Sequence, residues 1–373
     1  MSGIVLTNVS THRDAWVEVN LKNLEHNIQE IKKCVPKGTK LLGVVKADAY
    51  GHGAVMLAPT ILASGIDMLG VASIDEGLAL RDANINCEIL VLGAVPTWAF
   101  ESAIENDISI AIFSKTHIDA CKKAYEITGK KVKAHIKLDT GMNRIGVCKN
   151  EAVDFIKQVQ NSDFIDLKGI FTHFAMAESI EETDKQISIW ENIISNINTD
   201  GLLLHIQNSA ATMCYDIKNT NMCRVGIALY GLAPDFPPIK DFRFNLKPLI
   251  SLKGRIVNIH EATEGDGVSY SYTYRIKGKR KIATIPIGYA DGVSRALSNK
   301  IYGILNGKKV LQVGNITMDQ MMFDITGVDA ETGDVITLLD EEHSIDEWAK
   351  ILDTIHYELI CRLKLRLPRV YIK

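Results

Sequence analysis

The sequence predicts an α/β protein, an N-terminal (β/α)8 TIM-type barrel followed by a mainly β C-terminal domain. Three observations predict it. Eight apolar, strand-like runs recur through the first 240 residues, most of them separated by segments of helical period, which is the alternation of a parallel barrel. No GxGxxG joins a strand to a helix, which weakens the open dinucleotide-type sheet. Beyond about Phe242 the helical period gives way to short β runs and turns.

The bulk numbers are compatible with two domains, or with one large barrel carrying an addition. The chain has 373 residues, 46% of them hydrophobic and 23% charged, as in ordinary globular proteins. A formal net charge of −3 supplies no basic field for nucleic acid or an anionic membrane. The seven cysteines are scattered without a CxxC pair, which points to a reducing compartment and away from a disulfide framework or a structural zinc. With no signal-peptide pattern and no bilayer-length apolar run, the expected location is cytoplasmic and no metal is expected.

In order along the chain, Trp16–Val19 alternates as a lead-in strand. Leu21–Cys34 reads as a helix with Leu21, Leu24, Ile28 and Ile31 on one face. The barrel strands start near Leu41, Met68, Glu88, Ile108, Lys133, Leu167, Leu202 and Cys223. Helices are expected over Ala54–Ala63, Asp75–Arg81, Thr116–Tyr125, Glu151–Val159 and Asp184–Ile197. Pro234, Pro237 and Pro238 mark a linker, dividing a barrel over 1–240 from a β-rich domain over 241–373. The β runs of that domain are Leu249–Ile256, Lys281–Ile287, Tyr302–Leu305, Lys309–Val313, Met321–Ile325 and Asp334–Leu338, with Asn306-Gly307 as a hairpin turn. Ser344-Ile345-Asp346-Glu347 has the pattern of a capping box, and Leu352–Cys361 reads as a further helix.

A barrel places its chemistry at the C-terminal ends of its strands. The first run ends in Val44-Val45-Lys46-Ala47-Asp48-Ala49-Tyr50-Gly51, a lysine over a glycine-punctuated turn. Such a lysine can present its amine to a bound aldehyde, as a pyridoxal phosphate Schiff base requires. A solvated lysine in a loop is the bland alternative. The fifth run ends in Lys137-Leu138-Asp139-Thr140-Gly141-Met142-Asn143-Arg144, the sixth in Thr172-His173-Phe174, the seventh in His205-Ile206-Gln207-Asn208-Ser209, and the eighth carries Arg224-Val225-Gly226-Ile227. Singly, Arg144 could be a surface arginine, His173 a core histidine and Ser209 a helix N-cap. Their recurrence at corresponding strand ends favours a site. In the β domain, Val268-Ser269-Tyr270, Gly288-Tyr289-Ala290-Asp291-Gly292 and Thr317-Met318-Asp319-Gln320 each follow a strand or a tight turn.

In order and spacing, VVKADAYGHG, KLDTGMNRIG, THFA, HIQNSA, RVGIALYG, VSY, GYADG, MDQ and the final LPRVY resemble the alanine racemase family, pyridoxal phosphate enzymes of the type III fold, over nearly the whole chain. The resemblance implies interconversion of L- and D-alanine, supplying D-alanine for peptidoglycan. It implies two bases flanking the α-carbon, Lys46 and Tyr270. A free phenol titrates near 10, so a tyrosine base needs cationic or hydrogen-bonding neighbours. The resemblance also implies a homodimer in which Tyr270 and Met318 serve the partner's site. Arg224 would face the cofactor's pyridine nitrogen, with His205 behind it, and His173 would lie against the ring. Tyr50, Ser209, Tyr357 and the amides around Gly226 and Ile227 would hold the phosphate. Arg144 and Met318 would meet the substrate carboxylate, Lys137 matches a lysine often carbamylated in the family, and Tyr289 and Asp319 would stand behind the substrate. Ser271, Asn315 and Thr317 depart from the family's commoner residues.

Three rivals are weighed. A decarboxylase of basic amino acids on the same barrel would lack the VSY motif. A non-catalytic pyridoxal-binding barrel would lack the β domain. A racemase for serine or a broader set is the strongest rival, because a pocket for a methyl rejects an added hydroxyl only weakly, on the order of 10²-fold; Tyr357 favours alanine by narrowing the pocket.

Overall fold

The computed structural model describes residues 12–237 and 245–373; Phe242, Pro238 and the expected boundary at 240/241 lie outside the described residues. By contact density the chain divides into two compact units. One comprises Leu24–Ala49 with Gly53–Leu246, the other the N-terminal segment through Asn23, Tyr50–His52 and Lys247–Lys373.

The lead-in strand β1 (Ala15–Asn20) runs directly into α1 (Leu21–Lys33), whose Leu24, Ile28 and Ile31 are fully buried, as its helical spacing demands. The barrel unit then unfolds as β2 (Lys40–Val44), α2 (Lys46–Gly51), α3 (Ala54–Ala63), β3 (Met68–Val71), α4 (Ile74–Asp82), β4 (Glu88–Ala94), α5 (Phe100–Glu105), β5 (Ser109–Ile112), α6 (Lys115–Thr128) and β6 (Val132–Asp139). A two-residue β7 (Val147–Cys148), α7 (Ala152–Gln160), β8 (Ile165–Phe171), α8 (Ile180–Ile194), β9 (Leu203–His205), α9 (Ser209–Cys214) and β10 (Met222–Val225) complete it. Eight parallel strands pair in the order β10-β2-β3-β4-β5-β6-β8-β9. The remaining gap is bridged by Asn221 N–H to the Leu204 carbonyl (3.0 Å) and Arg224 N–H to the Gln207 carbonyl (3.1 Å), so the barrel closes. Strands buried on both faces, such as Ser109–Ile112 and Met222–Val225, explain why these runs read as continuously apolar rather than alternating.

In the other unit, β11 (Ile250–Arg255), β12 (Asn258–Ala262), β13 (Gly267–Val268), β14 (Tyr274–Arg275), β15 (Arg280–Ile285), β16 (Tyr302–Leu305), β17 (Lys308–Val313), β18 (Met321–Asp324) and β19 (Val335–Leu339) precede α10 (Ile345–Leu352), α11 (His356–Arg362) and β20 (Arg369–Ile372). Nine of the strands form one sheet, β12-β15-β18-β17-β16-β19-β11-β1-β20; β13 and β14 form a separate hairpin. The lead-in strand belongs to this sheet, antiparallel to β11 and parallel to β20. Asn306-Gly307 makes the β16–β17 turn, with both residues at positive φ (50° and 74°), as a primed hairpin turn requires.

One local expectation is corrected. Ser344 is an N-cap, but its hydroxyl accepts from the Asp346 amide, two residues on rather than three, and donates to the Asp346 carboxylate at 2.8 Å. Glu347 instead accepts from the Tyr302 hydroxyl at 3.3 Å, so no reciprocal capping box forms.

Candidate active site

Lys46 follows β2 and opens α2, which is not an ordinary helix. Ala47, Asp48, Ala49 and Tyr50 have φ of 52°, 52°, 54° and 54°, a left-handed turn of four residues with side chains. Each costs about 1–2 kcal/mol relative to the right-handed form. Hydrogen bonds fix it from both sides. Ala47 N–H donates to Glu76 Oε1 (2.8 Å), whose other oxygen accepts from Ala72 N–H (2.7 Å) at the end of β3. Ala54 N–H donates to Asp48 Oδ1 (2.7 Å), and Ala49 N–H to the Val45 carbonyl (2.8 Å). Glu76 was not expected at the site; its sole sequence signal is a carboxylate in the first turn of the following helix.

Arg224, on β10, is the centre of the barrel's polar interior and is 4% exposed. Its guanidinium donates to the carbonyls of Thr172 (2.7 Å), His205 (2.7 Å) and Ile206 (3.2 Å), and meets Nδ1 of His173 and of His205, each at 3.2 Å. No carboxylate among the described residues pairs with it. Burial lowers its pKa to about 10, so it stays charged at neutral pH. Phe171 lies 5.5 Å from it and stacks on His205 at 4.9 Å.

The histidines around it are neutral. Burial first, and the Arg224 charge second, push His173 and His205 well below the usual imidazole range. An arginine N–H can only donate, so Nδ1 of His205 accepts and its proton sits on Nε2. That N–H points at Nδ1 of His135, on β6, at 2.9 Å. The His135 proton therefore sits on its own Nε2, which is buried and has no hydrogen-bond partner. The His135 ring occupies space left by Gly169, where a Cβ would come within 2.7 Å of Nδ1. Neither His135 nor Gly169 was expected at the site; an inward histidine on a strand carries no distinguishing pattern.

Lys137 is 4% exposed and lies 4.7 Å from the Phe171 ring. Burial, with Arg224 and Arg144 nearby, holds its pKa well below the lysine range; Asp139 opposes this only in part. Lys46 and Arg144 both act electrostatically on His173, so the ends of β2, β6, β8 and β10 converge. Ser209 is the first residue of α9, but Asn208 is the N-cap, accepting from Ala211 N–H (2.9 Å). This frees the Ser209 hydroxyl to accept from Gly226 N–H (2.9 Å) and, at 3.5 Å, from Ala228 N–H. The Ile227 amide opens the 3-10 turn Ile227–Tyr230. With its oxygen accepting from Gly226 and Ala228, the Ser209 hydroxyl has its own proton to donate, and together with the turn amides it is the kind of group that can meet an anion; the Arg224 N–H groups are spent on carbonyls.

In the other unit, Tyr50 and Tyr357 approach with ring centroids 6.3 Å apart, and burial raises the Tyr50 pKa. Tyr270, Tyr272, Tyr289 and Met318 are exposed, Tyr270 to 72%. The Tyr289 and Ala290 amides donate to the Thr317 and Met318 carbonyls (2.9 and 3.0 Å), joining GYADG to MDQ. Asp291, fully buried, binds Arg13 through both oxygens (2.6 and 2.9 Å) and accepts from Gly288 N–H (2.9 Å). Arg366 donates to Asp319 at 2.7 Å. Arg13 and Asp291 were not expected; the aspartate lies inside a quoted motif but was indistinguishable from turn chemistry. Among the described residues no cluster of His, Cys, Asp or Glu is placed to hold a metal, and no helix is long and apolar enough to cross a membrane.

A closed parallel barrel with lysine, arginine and histidine gathered at its strand ends, in a chain that also carries a β unit, has the architecture of a (β/α)8-barrel enzyme. The family models for the alanine racemase N-terminal and C-terminal domains match residues 19–234 and 249–371. Alanine racemase 1 of Oceanobacillus iheyensis is 39% identical over 376 residues, covering 98% of this chain and all of the relative (100%). Among solved structures, the alanine racemase of Clostridium difficile 630 is 40% identical with a TM-score of 0.90, covering 96% of each chain. That of Bacillus anthracis with bound L-Ala-P is 37% identical with a TM-score of 0.88, covering 98% of this chain and 96% of the other. The chain belongs to the alanine racemase family, which are amino-acid isomerases.

Proposed function

We propose that this protein interconverts L- and D-alanine with pyridoxal phosphate as cofactor, acts as a cytoplasmic homodimer, and supplies D-alanine for peptidoglycan. The observation that carries the cofactor is Arg224, a buried cation whose partners are carbonyls and neutral imidazoles. Bound here, pyridoxal phosphate would supply the electron sink for the α-carbon.

The chain's own residues do the rest. Lys46 would hold the cofactor's aldehyde and take the proton on one face of the α-carbon, and Tyr270 of the partner subunit would take it on the other. Arg224 would face the pyridine nitrogen and, being charged, would disfavour a proton there, which would limit side reactions such as transamination. His205 would orient Arg224, and His173 would lie against the ring. Ser209, the amides of Gly226 and Ile227, Tyr50 and Tyr357 would hold the phosphate. Arg144 and the backbone at Met318 take the carboxylate, with Tyr289 and Asp319 behind. Burial favours the neutral form of the Lys137 amine, whose lone pair could take carbon dioxide; the carbamate so formed, with release of a proton, would place a negative charge beside Arg144. The exposed Tyr270, Tyr272, Tyr289 and Met318 support the shared site, because a second copy would cover them.

The test is α-hydrogen exchange in deuterated water. Tyr270→Phe should lower racemisation by roughly 10²–10⁴-fold, the cost of losing one general base. D-Alanine should still exchange through Lys46 with retention of configuration, and exchange into L-alanine should be largely lost. Equal exchange of both enantiomers rejects the two-base assignment. L-Serine run alongside L-alanine tests the broader-substrate reading.

A further inference from the structure

Three residues around Tyr270 have backbone conformations that side chains disfavour. Ser269 has φ 62° and ψ −170°, a region populated almost only by glycine, and Ser271 and Tyr272 have φ of 60° and 43°. Such a loop persists only where its surroundings over-determine it. The hairpin of β13 and β14 frames it but pairs only Gly267 with Arg275 and Val268 with Tyr274, leaving 269–273 outside the ladder.

The missing restraints come from residues 314–316 and from Asn299. Asn315 Nδ2 donates to the Tyr270 carbonyl at 2.7 Å, and the Ser269 hydroxyl donates to the Asn315 carbonyl at 2.7 Å. The two bonds are reciprocal and bracket the peptide between Ser269 and Tyr270. Asn315 is 6% exposed, so both bonds form largely away from water. A second tie lies on the far side of Tyr270. Asn299 Oδ1 accepts from Gly314 N–H (2.6 Å), and its Nδ2 donates to Thr273 Oγ1 (3.1 Å). Gly314 is required for this approach: it has φ 75°, and a Cβ there would stand 2.6 Å from the Val268 carbonyl oxygen. Met318 follows Asn315 by three residues, so one short segment restrains both the tyrosine and the methionine read above as substrate-facing.

We infer that Asn315 is a positioning residue that holds the Tyr270 phenol at the α-carbon by anchoring the Tyr270 carbonyl within this strained loop, an inference that rests on the reading of Tyr270 as one of the two bases. Without the amide donor, the Tyr270 carbonyl loses its restraint, while the Ser269 hydroxyl keeps its bond to the Asn315 main-chain carbonyl, so the loop is freed from Tyr270 onward. The phenol then swings, while the barrel groups are untouched. A misplacement of about 1 Å at a reacting group costs up to about 10²-fold.

The experiment uses the holoenzyme with Asn315→Ala and, to keep size constant, Asn315→Asp, which turns the donor into an acceptor facing the carbonyl. Three readouts are taken: deuterium exchange into L-alanine, deuterium exchange into D-alanine, and backbone amide exchange by mass spectrometry. Exchange into L-alanine should fall by roughly 10- to 100-fold. D-Alanine exchange through Lys46 should stay close to wild type, and amide exchange should quicken over 268–273 without change in barrel peptides. Intact D-alanine exchange also shows that the variant is folded and loaded. Equal loss on both enantiomers, no loss on either, or unchanged amide exchange at 268–273 overturns the clamp. Tyr270→Phe is run in parallel. If it spares L-alanine exchange, the two-base reading fails; if it abolishes that exchange while both Asn315 variants preserve it, the clamp alone fails.

Discussion

Removing His135 should change the pH dependence of stability by an amount the structure sets. Burial pushes its pKa from 6.5 down to about 3, with Arg224 contributing next. The sign follows from linkage. The native imidazole is neutral where the unfolded one binds a proton, so the stabilisation is complete above about pH 6.5 and is lost as pH falls toward 3. Between pH 7 and 4.5 this one group accounts for roughly 2–3 kcal/mol, the limiting slope being ~1.4 kcal/mol per pH unit. His173 and His205 are shifted in the same direction and steepen the wild-type curve further. His135→Asn removes the titration but keeps an acceptor near the Nδ1 position for His205. The lost packing offsets the whole curve, so the slope carries the information and the intercept does not. Urea unfolding from pH 7.5 to 4.5, at fixed protein concentration and saturating cofactor, gives both curves. The variant's loss of stability with acid should be shallower by about one proton's worth. Parallel curves would refute the reasoning, since His135 would then carry the same protonation folded and unfolded.

The other predictions concern the site directly. Borohydride reduction of the loaded protein should leave the cofactor on Lys46, read by peptide mass spectrometry; an adduct on another lysine removes Lys46 from its role. Mixing inactive Lys46→Ala with inactive Tyr270→Ala subunits should restore about a quarter to a half of activity, through one intact site per heterodimer; no recovery in a sample shown to contain heterodimers counts against a shared site. Gly51→Ala should destabilise the protein and weaken cofactor binding together, because position 51 has φ 82° and a Cβ there would sit 2.7 Å from the Ile360 carbonyl oxygen. Thermal denaturation and cofactor titration would show whether the two losses coincide.

The fold was legible because a barrel writes itself in a long repeat. Strand starts expected at Leu41, Met68, Glu88 and Cys223 fall within a residue of those observed, since each strand is a short apolar run bounded by helical period. Strands Asn258–Ala262 and Arg369–Ile372 were missed because neither has a buried face: the first is mostly exposed, and the second alternates only between half-buried and exposed positions in a sequence, Arg-Val-Tyr-Ile, that does not alternate. At the site, charged and glycine-flanked residues at strand ends were visible: Lys46, Arg144, Arg224. The residues that brace the neighbouring backbone and side chains were not. Glu76, His135, Asp291 and Asn315 form hydrogen bonds to groups 29, 70, 278 and 45 residues away, and no local pattern records such pairings.

The backbone nonetheless points to the same two places as the side-chain chemistry. Outside two clusters, the described non-glycine residues at positive φ are Asn84, Asp107, Asn143, Asn219, Asn299, Asn306 and Asp353, each an asparagine or aspartate whose short polar side chain tolerates that region. The clusters differ in composition. They are Ala47, Asp48, Ala49 and Tyr50, and Ser269, Ser271 and Tyr272, and apart from Asp48 none of these side chains is suited to it. One cluster begins immediately after Lys46; the other surrounds Tyr270. Turns in the first group cost little and could fall anywhere on the surface. The clusters each cost several times about 1–2 kcal/mol, and they are held by an exposed bond from Ala47 N–H to Glu76 and a partly buried bond from Asn315. A fold that only had to reverse its chain could place glycine or asparagine at these positions. Keeping alanine, serine and tyrosine there, under restraint, fixes the direction of the neighbouring side chain more tightly than a glycine turn could. That is what the proposed exchange of one proton between a lysine and a tyrosine across a single carbon would require.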